Sequence, residues 1–350
     1  MIRENIQTLV DRQSLSPEES RQTMQEIMTG QATNSQIAAF LTALRMKGET
    51  VEELVAFAKV MRENCLRIHP KVKGRLVDTC GTGGDEVKTF NISTTSAFVV
   101  AGAGIAIAKH GNRSVTSKSG SADVLEKLGV NLSTQPEMAK DAIEKVGIGF
   151  MFAPAFHPAM KYAVAPRKEV GIRTVFNLLG PLTNPANANA QLLGVYNSNL
   201  VGSIAKALRD LGCEEAMVVH GLDGLDEVST VGKTVISHLR NDEIQTYQTY
   251  PKELGIKRVR KQDLLGGSPE ENARTIVGIL NGDSLHHAKT EIVLVNSAAA
   301  IIVGGKAETF LEGLQIARES IESGAALSKL KNLIKFSGGN PSKLEELKQA

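Results

Sequence analysis

Leu76-Val77-Asp78-Thr79-Cys80-Gly81-Thr82-Gly83-Gly84-Asp85 is a short apolar run that ends in a glycine-dense turn. Ile105-Ala106-Ile107-Ala108-Lys109-His110-Gly111-Asn112-Arg113-Ser114 repeats the plan with a cationic turn. Each run has strand length, and each turn leads into helix-forming residues. Asn91-Ile92-Ser93-Thr94 precedes the run 97–103, and Ser121 opens the run to Leu128. Strands alternating with helices predict a largely parallel sheet covered on both faces. Further strands are expected at 148–152, 191–195 and 216–219. Further helices are expected at 200–211, 270–280, 307–322 and 324–336, and a buried one at 293–302.

Ahead of this unit the chain reads as helical. Ser16-Pro17-Glu18-Glu19 sets a capping serine before a first-turn proline, with glutamate three positions on, and Gly30 supplies the stop. Thr50-Val51-Glu52-Glu53 repeats the box after Gly48, and Ile37, Phe40, Leu41 and Leu44 recur at helical spacing between them. These amphipathic helices run to about Asn64 and carry no catalytic constellation; the pattern changes after His69-Pro70. In 166–187, Arg167-Lys168-Glu169-Val170 is expected to open a helix that Leu179-Gly180-Pro181 and the residues after it close. The segment is either an ordinary crossover or a return to the helical domain.

At 350 residues the chain is expected to form two domains. With 40 Lys+Arg against 38 Asp+Glu, no global field recruits nucleic acid, and the absence of Trp argues against a base-stacking platform. Cys65, Cys80 and Cys213 match neither a zinc pattern nor a disulfide framework, and Cys80 reads as a small space-filler. No apolar signal core opens the chain and no stretch reaches membrane-span length, so a reduced, cytoplasmic location is expected.

The two turns carry the chemistry. Gly81, Gly83 and Gly84 remove the Cβ atoms that would keep a ligand from the backbone, and successive amides in such a turn form an anion nest. Asn91-Ile92-Ser93-Thr94 adds hydroxyls and free amides at a helix N-terminus. Lys109 and Arg113 flank Gly111, and Thr116, Ser117, Ser119 and Ser121 continue a hydroxyl-rich loop. Either turn alone is as well read as a structural loop; the pair with the hydroxyls between points to several phosphate groups. Neither is a Rossmann or P-loop fingerprint. Asp226-Glu227, on a glycine-bounded loop after an apolar strand, suits Mg²⁺, although an acidic surface turn would look the same. His220 reads as structural.

The stretches 78–85, 91–94, 109–129, 167–185 and 220–229, with 296–300 and 319–321, closely resemble the anthranilate phosphoribosyltransferase family. The resemblance runs along nearly the whole chain. It implies transfer of phosphoribose from 5-phosphoribosyl 1-pyrophosphate to the amine of anthranilate, in tryptophan biosynthesis. It implies a homodimer of nucleoside phosphorylase/phosphoribosyltransferase-like architecture: a small helical domain (1–70 and 166–188, on the dimerisation and acceptor side) and a larger α/β domain (71–165 and 189–350) with a mainly parallel sheet. Carried over by position, Gly81, Gly84, Asp85 and Thr89 line the phosphoribosyl pyrophosphate site, and Asn91, Ile92, Ser93 and Thr94 hold pyrophosphate. Lys109, His110, Gly111, Asn112, Arg113, Ser114, Val115, Thr116, Ser117 and Ser121 close over it. Ser93, Asp226 and Glu227 bind the metal, as two Mg²⁺ ions; Lys109, Asp226 and Glu227 carry catalysis; Gly81, Asn112 and Arg167 bind anthranilate. No nucleic acid or membrane partner is implied. An arylamine is uncharged near neutral pH, so no general base is nominated, and His110 is expected to pack or orient. The alternatives are a pyrimidine nucleoside phosphorylase-like enzyme and a non-catalytic nucleic-acid-binding relative. The latter predicts a basic groove and eroded metal residues, against the Asp226-Glu227 pair and a net charge of +2.

Overall fold

Helix caps organise the N-terminal helices of the computed structural model, which describes residues 1–85, 87–114, 118–283 and 287–349. After α1 (Ile2–Val10), capping boxes start α2 (Pro17–Met28) at Ser16/Glu19, α3 (Asn34–Lys47) at Thr33/Gln36 and α4 (Val51–Glu63) at Thr50/Glu53. Glu53 is wholly buried. Its carboxylate also accepts the Leu15 N–H at 2.9 Å and meets Lys47 at 2.7 Å, so the charge is paired and hydrogen-bonded. Phe40 and Phe57 meet edge to face at 5.9 Å, joining α3 to α4.

The α/β part follows in the order β1 (Leu76–Gly81), α5 (Ile92–Gly102), β2 (Ala106–Gly111), α6 (Ser121–Lys127), α7 (Pro136–Val146), β3 (Ile148–Phe152) and α8 (Ala153–Phe156). Two helices then interrupt the alternation: α9 (Lys161–Val170) and α10 (Val175–Leu182). The chain resumes with β4 (Ala190–Gly194), α11 (Val201–Asp210), β5 (Glu215–Gly221), β6 (Thr234–Arg240), β7 (Glu243–Thr249), α12 (Pro269–Asn281), α13 (Ala288–Val303), α14 (Phe310–Glu322), α15 (Ala325–Phe336) and α16 (Ser342–Gln349). The sheet order is β3-β2-β1-β4-β5-β6-β7. Its first five strands are parallel, as expected, and the last two are antiparallel, which was not. Asn241 and Asp242, both at positive φ, make the two-residue turn of the β6–β7 hairpin.

The helix expected to open at Arg167 is instead two helices. Arg167 sits in the last turn of α9, which Gly171 ends in the left-handed region at φ 67°, and Thr174 with Asn177 starts α10. α9 packs on α3 and α2, and α10 on α4. Ala163, Phe176, Leu179 and Leu182 thereby join one core with Leu41, Phe57 and Met61. The other sheet face is covered by α5 and α13, with α12 packed against α5; α13 is buried along nearly its whole length as its apolar run predicts. β1 and β4 lie side by side, although β2 and β3 fall between them in sequence. This is the switch point outside whose carboxyl ends open α/β sheets hold ligands.

Candidate functional site

The site is built at the ends of β1 and β4, where Gly81 and Gly194 pair in register. Asp226, on the loop after β5, lies across both. A Cβ at Gly81 would meet the Asp226 Oδ2 at 2.8 Å, and one at Gly194 would collide with the Asp226 carbonyl oxygen. Glycine is needed at both for close approach. Gly194→Ala is expected to lower stability by roughly 1–3 kcal/mol, as overpacking against backbone does, read as a fall in melting temperature.

Beyond Gly81 the first turn runs through Gly83 and Gly84 at φ 68° and 80°. Arg173 donates to the Gly84 carbonyl and stacks 4.3 Å over the Tyr196 ring, tying the turn to the segment between α9 and α10. Asp85 accepts the Thr89 N–H at 3.0 Å. The N-terminus of α5 follows, and Asn91 does not cap it with its side chain. Its amide is used sideways: Nδ2 donates to the Ser119 carbonyl (3.1 Å), and Oδ1 accepts from Ser119 Oγ (3.2 Å) and Asn272 Nδ2 (3.1 Å). The uncapped end, with Ser93 and Thr94, therefore lines the crevice. Ile92 is buried in the core and offers the site only backbone.

Lys109 is 3% exposed at the end of β2. Its Nζ donates to the Thr79 carbonyl at 2.6 Å and to Ser93 Oγ at 3.4 Å. Asp78 and Glu227 are its counter-charges; burial pulls the ammonium pKa down, and both carboxylates oppose that. The β1–β2 ladder stops at Val77↔Ile107. From there the wholly buried Asp78 takes the His110 N–H (3.4 Å) and the Asn184 Nδ2–H (2.8 Å). Burial raises its carboxyl to about 6, against the pull of Lys109.

Of the second turn, residues 115–117, including the expected contacts Val115, Thr116 and Ser117, lie outside the described residues. The flanks are held by Asp123, whose Oδ2 accepts the N–H groups of both Ser114 and Gly120 at 2.9 Å. Ser121 Oγ donates to the Asn112 carbonyl at 3.3 Å. Arg113 lines the crevice, but its guanidinium is paired with Asp123 (3.0 Å) and Glu126 (2.9 Å), which raise its pKa further. Here it acts as a brace between the turn and α6.

The acidic pair is strongly perturbed. Burial, then the charge of Asp85, raises Asp226 to about 7, with the Gly83 N–H and Arg173 opposing. Burial and Asp226 push Glu227 well up, while Lys109 and the Ser93 N–H oppose. Among the described residues no three His, Cys, Asp or Glu side chains converge as a cage for a metal ion. The donor set is two carboxylates with a hydroxyl nearby. That is what Mg²⁺ uses when substrate phosphates and water complete its shell.

A second compartment of about 450 Å³ adjoins this one and shares Cys80, Gly81, Thr82, His110, Gly111 and Asn112 with it. Its walls are apolar: Met61 from α4, Pro154 and Pro158, Met160, Val164 and Phe176. Arg167 lies 5.2 Å over the Phe176 ring, and burial lowers the pKa of its guanidinium. Among the described residues that cation makes no ion pair. His110 and His157 face each other at 5.0 Å, and burial holds them near 3 and 4, so both are neutral at physiological pH. Cys80 is buried against Gln191 and its thiol is pushed well up, which fits the expected inert filler.

The structure thus gathers Gly81, Gly84, Asp85, Thr89, Asn91, Ser93, Thr94, Lys109, His110, Gly111, Asn112, Arg113, Ser114, Ser121, Asp226 and Glu227 around one crevice, with Arg167 in the adjoining one. Sequence reasoning passed over Arg173, Asn177, Asp123 and His157. Thr174 and Asn177 form a capping box after Gly171, a signal that could have placed Arg173 just outside a helix. His157 has no comparable signal.

Residues 3–65 match the helical bundle domain of a glycosyl transferase family, and residues 73–327 match its a/b domain. The chain is 52% identical to the anthranilate phosphoribosyltransferase of Acetivibrio thermocellus over 336 residues, 96% of each chain. It is 52% identical to that of Methanocorpusculum labreanum, covering 97% of this chain and 99% of the relative. The Thermus thermophilus enzyme of that name superposes with a TM-score of 0.90 at 39% identity, over 95% of this chain and 99% of that one. The Saccharomyces cerevisiae enzyme in complex with PRPP and Mg superposes with a TM-score of 0.89 at 30% identity, over 96% and 98%.

Proposed function

Because the chain belongs to the anthranilate phosphoribosyltransferase family, we infer that its paired crevices transfer phosphoribose from 5-phosphoribosyl 1-pyrophosphate to the amine of anthranilate. The observation that carries this reading is the junction of the two compartments: a polyanion cradle and an apolar slot share Gly81, His110, Gly111 and Asn112. A sugar bridging the cradle presents its anomeric carbon to an aromatic amine in the slot. A solved relative from S. cerevisiae in complex with 4-fluoroanthranilate supports an aromatic acid as acceptor. Following the loss of anthranilate fluorescence with phosphoribosyl pyrophosphate and Mg²⁺ tests it; no Mg²⁺-dependent loss would overturn it.

In this reading the diphosphate lies against the uncapped start of α5, the amides of Gly83 and Gly84, and Lys109. These donors are already aimed when negative charge develops on the leaving group. Asp226 and Glu227, with Ser93, hold Mg²⁺, which neutralises diphosphate charge when bound. Glu227 faces Ser93 and Lys109, whereas Asp226 faces Asp85, an arrangement that suits two ions rather than one. Arg167 supplies the counter-ion for the acceptor carboxylate, and Asn112 orients the acceptor at the junction. The nucleophile is a neutral amine, and the neutral His110 and His157 pack around it. Positioning in line with the anomeric carbon does the remaining work. Arg167→Ala is expected to raise the anthranilate KM by roughly 10–100-fold, the loss of a charge-assisted pair of about 1.5–3 kcal/mol. The phosphoribosyl pyrophosphate KM should stay put. Steady-state kinetics with each substrate varied would check the split.

We assign the helical body to 1–70 together with the returning segment, drawn at 166–188 from sequence and supported by the packing of α9 from Lys161 onward. The α/β body takes 71–165 and 189–350. Closure of one on the other would bring Arg167 towards the cradle. The homodimer belongs to the same reading. Val10 and Met46 are 60% and 70% exposed beside a groove lined by Ile6, Leu9, Ala39 and Ala43 on α1 and α3. Met46→Asp is expected to shift the chain to monomer in sedimentation velocity without changing its helicity. Among the described residues no helix is long and apolar enough to cross a membrane, and the three cysteines are free.

A further inference from the structure

Asn296 sits in the middle of α13 with no exposure to solvent. Its Oδ1 accepts the Val228 N–H at 2.9 Å, and its Nδ2 donates to the Val228 carbonyl at 3.0 Å and to the Ile292 carbonyl at 2.8 Å. Both amide hydrogens and the oxygen are used, so the side-chain orientation is fixed: a flipped amide would set donors against the Val228 N–H. Val228 follows Glu227 directly, in the loop between β5 and β6 where the backbone has left the sheet ladder. A polar side chain in a buried, mostly apolar helix is retained at a cost unless every bond is made. Here one bond goes back to the helix at Ile292, and the other two go to the N–H and the carbonyl of Val228 in that loop.

We propose that Asn296 is a positioning residue for the metal-binding carboxylates: it stands in for a missing strand neighbour and locks the backbone of Val228, the residue that directly follows Asp226 and Glu227. At the start of the pair the Asp226 carbonyl rests on Gly194, where there is no room for a Cβ. The backbone of the acidic pair is thus held at its first residue by contact with a glycine and just past its second by an asparagine. With the asparagine gone, the loop keeps its place in sequence but loses the convergence of its carboxylates. Metal affinity then suffers before the diphosphate cradle does. The inference rests on the reading of Asp226 and Glu227 as the Mg²⁺ ligands.

Mn²⁺, a paramagnetic substitute, can be titrated into the full chain with phosphoribosyl pyrophosphate and no acceptor, and free ion read by electron paramagnetic resonance. Asn296→Ala is expected to weaken Mn²⁺ binding by roughly 10–100-fold, the range seen when partners that orient metal ligands are removed. In turnover assays it should raise the Mg²⁺ needed for half-maximal rate, with most of kcat returning at saturating Mg²⁺. Ile302→Ala removes bulk from the same helix away from the loop; it should lower the melting temperature while leaving Mn²⁺ affinity unchanged. Asn296→Asp, of the same shape, keeps the acceptor for the Val228 N–H and loses both donors, and should behave as Asn296→Ala does. Folded Asn296 variants that bind Mn²⁺ as tightly as the parent overturn the proposal. Failure of both variants to fold overturns it too, because the residue would then be a determinant of the fold. The Asp226→Asn/Glu227→Gln chain separates the premises: if it binds Mn²⁺ like the parent, the metal-site reading fails. If it loses binding while Asn296→Ala does not, only the role of Asn296 fails.

Discussion

Asp226→Asn combined with Glu227→Gln is expected to lose at least about 10³-fold in turnover while the protein itself melts higher than the parent. The two halves have one cause. Both carboxylates are raised above their ordinary range, first by burial and then by like charge: Asp85 on Asp226, to about 7, and Asp226 on Glu227. An acid with a raised folded pKa binds its proton more tightly in the folded state than in the unfolded one. Stability is therefore greatest below the unfolded pKa near 4, falls as pH rises towards the folded value, and stays low above it. For Asp226 the loss runs between about pH 4 and about 7. Uncharged amides of the same shape remove the penalty, so the double variant should lose much of that slope. At pH 8 its melting temperature should rise by about 1–2 °C for each kcal/mol recovered in a chain of this length. Mg²⁺ with pyrophosphate should raise the melting temperature of the parent and leave that of the variant unmoved. A variant that keeps Mg²⁺-dependent turnover, or melts lower with the same pH slope, would contradict the argument. The carboxylate pair thus carries a charge penalty that a bound cation would relieve, and perturbation of this kind marks candidate functional carboxylates.

How much of this was legible in the residues depends on the range of each interaction. The glycine turns, the uncapped α5 and the Asp226-Glu227 loop are local: a strand, a glycine and a helix start lie within fifteen residues, and their chemistry needs no distant partner. The parallel sheet followed from the same alternation. The β6–β7 hairpin was passed over because Glu243–Thr249 is an edge strand with mostly polar, solvent-facing residues, so its period lacks a hydrophobic face. Its Asn241-Asp242 turn was the surviving signal. Arg113 was read as a phosphate fork, yet Asp123 and Glu126, ten and thirteen residues on, take its guanidinium first. Arg173 and Asn296 contribute through contacts 89 and 68 residues apart in the chain. No spacing rule reaches that far, so only the folded molecule reveals which backbone each one serves.

Lys109→Met should cost nearly as much turnover as the loss of the acidic pair, and for a reason visible only in three dimensions. The sequence presents Lys109 as a cation offered to phosphate. In the fold its Nζ is held by the Thr79 carbonyl and Ser93 Oγ, with Asp78 and Glu227 as nearby counter-charges. Removing it takes a preorganised donor from the leaving diphosphate, worth about 10²–10³-fold in turnover. It also leaves Asp78 buried without the cation whose charge holds its pKa down; the two make no direct ion pair, so the cost falls short of the about 3–5 kcal/mol of breaking a buried pair from one side. The sign with pH follows from Asp78, already raised to about 6 with Lys109 in place. Without the cation its pKa climbs further, so stability keeps falling through neutral pH instead of levelling near 6. The single variant should then melt closest to the parent near pH 5 and furthest from it at pH 8. Adding Asp78→Asn keeps an oxygen for the His110 N–H and removes the orphaned charge but sets its amide donor against the Asn184 Nδ2, so the double variant should recover part of the melting temperature at pH 8. Activity should not return, because the donor to the leaving group is still missing. Thermal melts of the parent, both singles and the double across pH 5 to 8 would close the cycle. Strict additivity of the two losses would mean that Asp78 and Lys109 are not coupled, and that the ammonium is held over the diphosphate by its hydrogen bonds alone.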